Sequence, residues 1–330
     1  MHRQAVADHR AKAAENKGEI FSPPYFLPND FFKIKIMEKL DNAAQLLSQG
    51  KYQEAISLYE EVHQAHPEEE SVLLMLAWAH YDSGATAQAL AYLETLLQRE
   101  LQRKIFTGFA FDELVRIYKQ EKNFGKLTEI CTRAVAAQPD DVGLLAELGN
   151  ACLRAGKAQD ACRIYDKLVH LDNDNPAFHC LLGEALFAAG RTSESEAAYL
   201  RAGQLDPDQV GHYYFKIADL FAQSGRYEEA KRLLEMCIAA SPAKPLYHCC
   251  LGDALVGLGR VKEALAEYET AVHNSNSGAY YNRCGNILVK ANYHQEAVEA
   301  FLRALKMEPD NPVYARHLAL AQEALGLKVG

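Results

Sequence analysis

No run of eighteen apolar residues occurs in the sequence, so no membrane-spanning segment is expected. The first twenty residues, MHRQAVADHRAKAAENKGEI, hold no apolar core of the kind an export signal needs, and a cytoplasmic location is the expectation. None of the eight cysteines forms a CxxC pair, which argues against a disulfide framework or a zinc ribbon; small buried hydrophobes are expected instead. A basic surplus is missing too. With 35 Lys and Arg against 44 Asp and Glu, the net charge is -9, and a nucleic-acid partner is not expected.

Motifs for catalysis are equally scarce. The sequence lacks GxSxG, HExxH, GxxxxGK[ST] and GxGxxG, so no enzyme activity and no cofactor are expected. His179–Cys180 and His248–Cys250 resemble metal-ligand pairs but stand two repeat units apart, too far for one ion. Adjacent side chains on a helix also diverge, so the expected reading is a core histidine beside a buried thiol. Carboxylate pairs such as Glu60–Glu61 and Glu228–Glu229 read as solvated outer faces. What remains is a chain of 330 residues, longer than one ordinary core and, at 49% apolar, too hydrophobic for disorder.

A repeat organises it. Gly50, Gly84, Gly156, Gly190, Gly225 and Gly259 recur in phase, with Lys122 and Asn292 at the same point, at spacings of 34, 38, 34, 34, 35, 34 and 33. Five residues later come Ala55, Ala89, Ala161, Ala230, Ala264 and Ala297, with Leu127 and Ser195 as exceptions. A large column follows four residues on: Tyr59, Leu93, Cys131, Tyr165, Tyr199, Leu234, Tyr268 and Phe301. Seven residues before the glycine stands a small column, Ala43, Ala77, Gly149, Gly183, Ala218, Gly252 and Gly285, broken by Val115. Apolar residues three and four apart between these columns describe two amphipathic helices per unit, joined at the glycine and closed by Pro67, Pro139, Pro207, Pro242 or Pro309. Repeat 3, with Val115, Lys122 and Leu127 and a four-residue insertion near 101–107, is where packing is expected to change.

These columns resemble the tetratricopeptide repeat. The resemblance covers residues 36–310 and implies an all-α, right-handed superhelical solenoid of antiparallel helix pairs. Eight units are expected at about 36–69, 70–107, 108–141, 142–175, 176–210, 211–244, 245–277 and 278–311. A helix over 312–327 would cover the open end, with His317, Gln322 and Glu323 on its wet outer side. Residues 1–35 stand outside the array. Their aromatic and proline segment, with Phe21, Tyr25, Phe26, Phe31 and Phe32, is expected to cap repeat 1 or to lie in the groove. Asn29 or Asp30 would cap the following helix.

The resemblance also implies a concave groove, lined by first-helix residues around the small column, that binds a peptide or a partner protein. The position just after that column reads Ala44, Trp78, Arg116, Asn150, Glu184, Asp219, Asp253 and Asn286. Lys119, Phe187, Phe215, Lys216, Asn282 and Arg283 adjoin it, which makes the middle acidic and aromatic and the C-terminal end basic through Arg283, Lys290 and Arg316. An extended ligand with Lys or Arg at its centre and an acidic residue or carboxylate near repeat 8 is the expectation, with Phe187 and Phe215 seating an apolar side chain. The two-carboxylate clamp by which some members hold chaperone tails is incomplete here, because Ala146 and Leu181 stand where a Lys and an Asn belong. The expected function is a non-catalytic adaptor or scaffold, monomeric or weakly self-associating. A self-assembling structural protein and a regulatory subunit of a separate enzyme are the alternatives.

Overall fold

The computed structural model describes residues 28–103 and 108–326. Among them every regular element is helical: seventeen α-helices and one short 3-10 turn, Pro207–Gln209. They form two units that meet at Leu114 and Val115. The first holds α1 (Pro28–Ser48), α2 (Tyr52–Ala65), α3 (Glu70–Asp82) and α4 (Thr86–Gln102), with the start of α5 (Phe109–Gln120). The second continues α5 and holds α6 (Phe124–Ala137), α7 (Val142–Arg154), α8 (Ala158–Leu171), α9 (Pro176–Ala188) and α10 (Thr192–Leu205). It goes on through α11 (Val210–Gln223), α12 (Tyr227–Ala240), α13 (Pro245–Gly257), α14 (Val261–Ser275), α15 (Ala279–Lys290), α16 (His294–Met307) and α17 (Pro312–Ala324). From α1 to α4 and from α6 to α17 consecutive helices pack on each other, and in the second unit α9 also touches α11, α13 touches α15 and α15 touches α17.

Every helix pair turns the same way. The residue in the glycine column has a positive φ in all eight repeats, including Lys122 at 55° and Asn292 at 65°. Two reverse hydrogen bonds close each turn; Gly156 N–H donates to Leu153 C=O and Lys157 N–H to Cys152 C=O, and the same pair recurs in the other seven. This is the Schellman motif, which needs a left-handed residue and therefore favours glycine. A ninth such residue, Gly326 at 72°, ends α17 thirty-four residues after Asn292. The terminal helix is thus the first half of another repeat.

The small and large columns meet inside each pair. A methyl group on Gly149 would lie 2.3 Å from the ring of Tyr165, and one on Gly183, Gly252 or Gly285 would stand 2.5–2.8 Å from Tyr199, Tyr268 or Phe301. These aromatic rings are almost fully buried. Where the small residue is alanine, the same register usually carries a shorter partner, as in Ala77 with Leu93 and Ala218 with Leu234; Ala43 with Tyr59 departs from this. Ser195, the polar exception in the alanine column, is buried and donates its hydroxyl to the Gly183 carbonyl at 2.6 Å. The hydrogen bond supplies what a buried hydroxyl requires.

Several expectations change. Asn29 and Asp30 lie inside α1, which begins at Pro28, a residue with no amide hydrogen to satisfy at a helix start. The insertion near 101–107 partly lengthens α4 to seventeen residues, whereas α2, α6 and α8 have fourteen. Residues 104–107 and the segment through Leu27 lie outside the described residues, as do the side chains through Lys35 and hence the expected aromatic cap. His317 does not face water on the outer side of α17. Its ring lies 5.7 Å from that of Phe301, and its Nδ1 is 2.8 Å from Asn282 Oδ1.

Candidate functional site

In the second unit the first helices of successive repeats, α7, α9, α11, α13 and α15, carry the expected row: Asn150, Glu184, Asp219, Asp253 and Asn286. Arg116 and Lys119 stand on the part of α5 that belongs to this unit, and Trp78, half-buried on α3, belongs to the first. The row sits where it does because the neighbouring small residue faces its own second helix, so the next position, about 100° round the helix, turns away from that contact.

Not every member is available to a ligand. Asp253 accepts the hydroxyl of Tyr268 and is gripped by Arg283, whose Nη2 and Nε approach one carboxylate oxygen at 2.5 and 3.0 Å. Burial, then the Asp253 carboxylate, push the Tyr268 phenol far above its usual range, so it stays a donor. Asp253 and Arg283 therefore neutralise each other, which shortens the acidic run and removes one cation from the basic end. Asn282 is held by His317 at 2.8 Å. Lys119 pairs with Glu147 at 2.8 Å, and Lys216 Nζ lies 3.4 Å from Cys180 Sγ.

These contacts share one rule. The residue two places before the small column reaches back to the preceding first helix: Glu147 to Lys119, Lys216 to Cys180, Arg283 to Asp253, His317 to Asn282. That column staples neighbouring repeats. In the column just after the small residue, only two polar members are fully open to solvent. Glu184 and Asp219 are exposed, and neither has a cation within ion-pair distance among the described residues; Asp219 accepts only Gln223 Nε2 at 2.7 Å. Beside them Phe187 and Phe215 are half-buried, Phe187 edge-on to Phe221 at 5.7 Å and Phe215 tilted on Tyr247 at 5.5 Å.

The histidine and cysteine residues serve the frame. His179 Nε2 lies 2.8 Å from the Asn173 carbonyl and His248 Nε2 2.8 Å from the Pro242 carbonyl; a carbonyl only accepts, so each ring nitrogen donates and ties a helix start to the preceding turn. His248 Nδ1 also meets Glu267 at 2.7 Å. All eight cysteines are unpaired, seven of them buried and Cys250 partly so. Burial pushes their thiols up, Cys131 and Cys284 to about 12 and Cys250 to about 11. A thiol held protonated in this way is a poor nucleophile and a poor metal ligand.

One row member was not anticipated. Leu320 on α17 stands just after Ala319, thirty-four residues beyond Asn286, and continues the polar row with an apolar side chain. The signal that could have found it is Gly326, in phase with the eight earlier turns.

Stacked helix pairs with one shared turn, and a row of polar side chains left open along the first helices, define a helical repeat scaffold. The chain belongs to the tetratricopeptide repeat family: models described as tetratricopeptide repeat match residues 46–105, 153–214, 215–279 and 278–311, more than half of it. It is 30% identical over 104 residues to the TPR repeat-containing thioredoxin TTL4 of Arabidopsis thaliana, covering 32% of this chain and 15% of that protein. It is 22% identical over 231 residues to human DnaJ homolog subfamily C member 7, covering 66% of this chain and 46% of that one. The chain thus spans less than half the length of either relative. Among solved structures, a tetratricopeptide repeat protein from Parabacteroides merdae superposes with a TM-score of 0.49 at 16% identity, covering 77% of this chain and 98% of that one.

Proposed function

We propose that this protein is a non-catalytic recognition scaffold that holds an extended, basic segment of a partner protein along the first helices of its second unit. The observation that carries the reading is the pair Glu184 and Asp219, exposed in the same column on successive first helices with no cation within ion-pair distance among the described residues. Their neighbour Asp253, by contrast, is paired with Arg283 at 2.5 Å. Helices in contact stand about 8–10 Å apart, close to one Debye length at physiological salt, so the two potentials overlap and a lysine or arginine between them feels both. Phe187 and Phe215 offer ring surface beside the charges for the aliphatic stem of such a residue or for an apolar neighbour. Lys216 is engaged with the Cys180 thiol rather than with either carboxylate.

The test is a selection of randomised displayed dodecapeptides on the wild-type protein and on Glu184→Lys/Asp219→Lys, both shown to be folded by circular dichroism. Enrichment of Lys and Arg on the wild type, lost or inverted on the variant, is expected. Each exposed ion pair contributes about 0.2–1 kcal/mol, so a dibasic peptide should lose about tenfold in affinity. Selected peptides without charge bias, or with unchanged affinity for the variant, would remove this reading.

A further inference from the structure

The exposed apolar residues of the second unit are unevenly placed. On α17, Val313 is 51% exposed and Leu320 54%, one heptad apart, with exposed Arg316 between them on the same face. Leu320 continues the row of Glu184 and Asp219, and Val313 stands seven residues before it, in line with the same side of the helix. Arg316 makes no ion pair among the described residues. The side of α17 that faces away from α16 is built differently. Where the second helix of another repeat would rest, the chain offers Ala315, Ala319 and Gln322, small or polar residues that present little apolar area. The large exposed apolar side chains of α17 are therefore on the side of the row.

We propose that Val313, Arg316 and Leu320 form a second subsite of the same binding row, taking a leucine-sized side chain that stands next to an acidic residue of the bound segment. This rests on the row being the ligand-binding face, as argued above. Charge complementarity selects the occupant: the acidic subsite at Glu184 and Asp219 takes a cation, and Arg316, flanked by two aliphatic side chains, takes a carboxylate beside an apolar group. From Asp219 on α11 to Leu320 on α17 there are three steps between first helices, roughly 30 Å at about 10 Å each. An extended chain advances about 3.3 Å per residue, so the two recognised elements of the ligand are separated by about nine residues. The partner is a bipartite segment, basic at one end and acidic–aliphatic at the other.

The experiment uses fluorescein-labelled peptides with Lys-Lys and Leu-Glu separated by three, nine or fifteen Gly and Ser residues, in both chain directions, and a Lys-Lys peptide without Leu-Glu. Fluorescence anisotropy is read on the full chain, on Leu320→Ser/Arg316→Glu and on Glu184→Lys/Asp219→Lys. Leu-Glu should tighten binding about tenfold at the nine-residue spacing and much less at three, in one direction. The gain should vanish in Leu320→Ser/Arg316→Glu, which should bind the Lys-Lys peptide as the wild type does. A gain that is absent at every spacing, or that survives in Leu320→Ser/Arg316→Glu, overturns the subsite. A separate peptide carries photo-leucine next to glutamate and no lysine. Its crosslinks should fall on residues 313–320 whether or not Lys-Lys peptides bind, and crosslinks spread elsewhere also overturn the subsite. Loss of Lys-Lys binding alone instead removes the acidic subsite at Glu184 and Asp219.

Discussion

The tightest of the glycine sites gives the fold its sharpest test. In Gly149→Ala the new methyl group would meet Tyr165 Cε1 at 2.3 Å, whereas carbon atoms pack at about 3.5–4.0 Å. Tyr165 is 1% exposed, so the ring has no open space to enter and must move by more than 1 Å within a filled core. Overpacking of this kind costs about 1–3 kcal/mol. Against it, alanine is favoured over glycine in a helix interior by about 1 kcal/mol, so the single change should destabilise by about 0–2 kcal/mol. Tyr165→Leu alone leaves a hollow over the glycine and should cost about 2 kcal/mol or more. Combined, the two changes reproduce the alanine–leucine register of Ala77 with Leu93 and of Ala218 with Leu234. In the Tyr165→Leu background, Gly149→Ala should therefore stabilise by about 1 kcal/mol, a reversal of sign. Urea unfolding followed by far-ultraviolet circular dichroism, with all four proteins compared at equal slope, reads the coupling. If Gly149→Ala shifted stability equally in both backgrounds, to within about 0.5 kcal/mol, the column contact would not be what sets the helix spacing.

Two further outcomes follow from the turns and the thiols. Lys122 holds a left-handed backbone at φ 55°, so Lys122→Gly should raise stability by up to about 1 kcal/mol, and more than Asn292→Gly, because asparagine tolerates that region; a loss of stability in Lys122→Gly would contradict the shared turn. With burial pushing Cys250 up to about 11 and Cys131 and Cys284 to about 12, only about a thousandth of the Cys250 thiol and a ten-thousandth of the other two is ionised at pH 8. Their reaction with a disulfide reagent should be at least about a hundredfold slower in the folded protein than in guanidinium, and should accelerate as pH rises towards 11, with Cys250 first. A cysteine of this set that reacts at the unfolded rate at pH 8 would refute its burial.

Much of the fold is legible from the columns because a repeat shows each constraint eight times over. The left-handed turn can be read at Lys122 and Asn292 only because six glycines mark the register. Repeat 3 illustrates the limit. Its Val115, Lys122 and Leu127 break three columns at once, and the family models leave the stretch between residues 105 and 153 unmatched, yet its turn closes with the same two hydrogen bonds, Lys122 N–H to Lys119 C=O and Asn123 N–H to Tyr118 C=O. Backbone geometry survives there after the sequence signature has faded, because the reverse bonds need only a residue able to enter the left-handed region. The ninth turn at Gly326 was equally written in the sequence, and with it the standing of α17 as a half-repeat.

The availability of the row was harder to read, for a reason that lies in the physics of a stack. Periodicity tells which positions share a face, but a charged side chain on that face can be satisfied by a ligand or by the next repeat. Asp253 and Arg283 are thirty residues apart, Lys119 and Glu147 twenty-eight, Lys216 and Cys180 thirty-six. All are separations close to one repeat, so each column has a built-in neighbour one unit away with which it competes for ligands. Side-chain reach decides the competition. Arginine, lysine or glutamate two places before the small column is long enough to cross to the preceding first helix. Opposite Glu184 the place that Arg283 takes opposite Asp253 holds Lys216, which goes to the Cys180 thiol instead, and opposite Asp219 it holds Cys250, which carries no cation. Charges in a helical repeat should therefore be counted in pairs one period apart before any is assigned to recognition. Counted so, the acidic run shrinks from three residues to two, and the basic end loses Arg283 and keeps Lys290 and Arg316. The surviving charges, with Leu320 and Val313, are the ones on which a bound segment would depend.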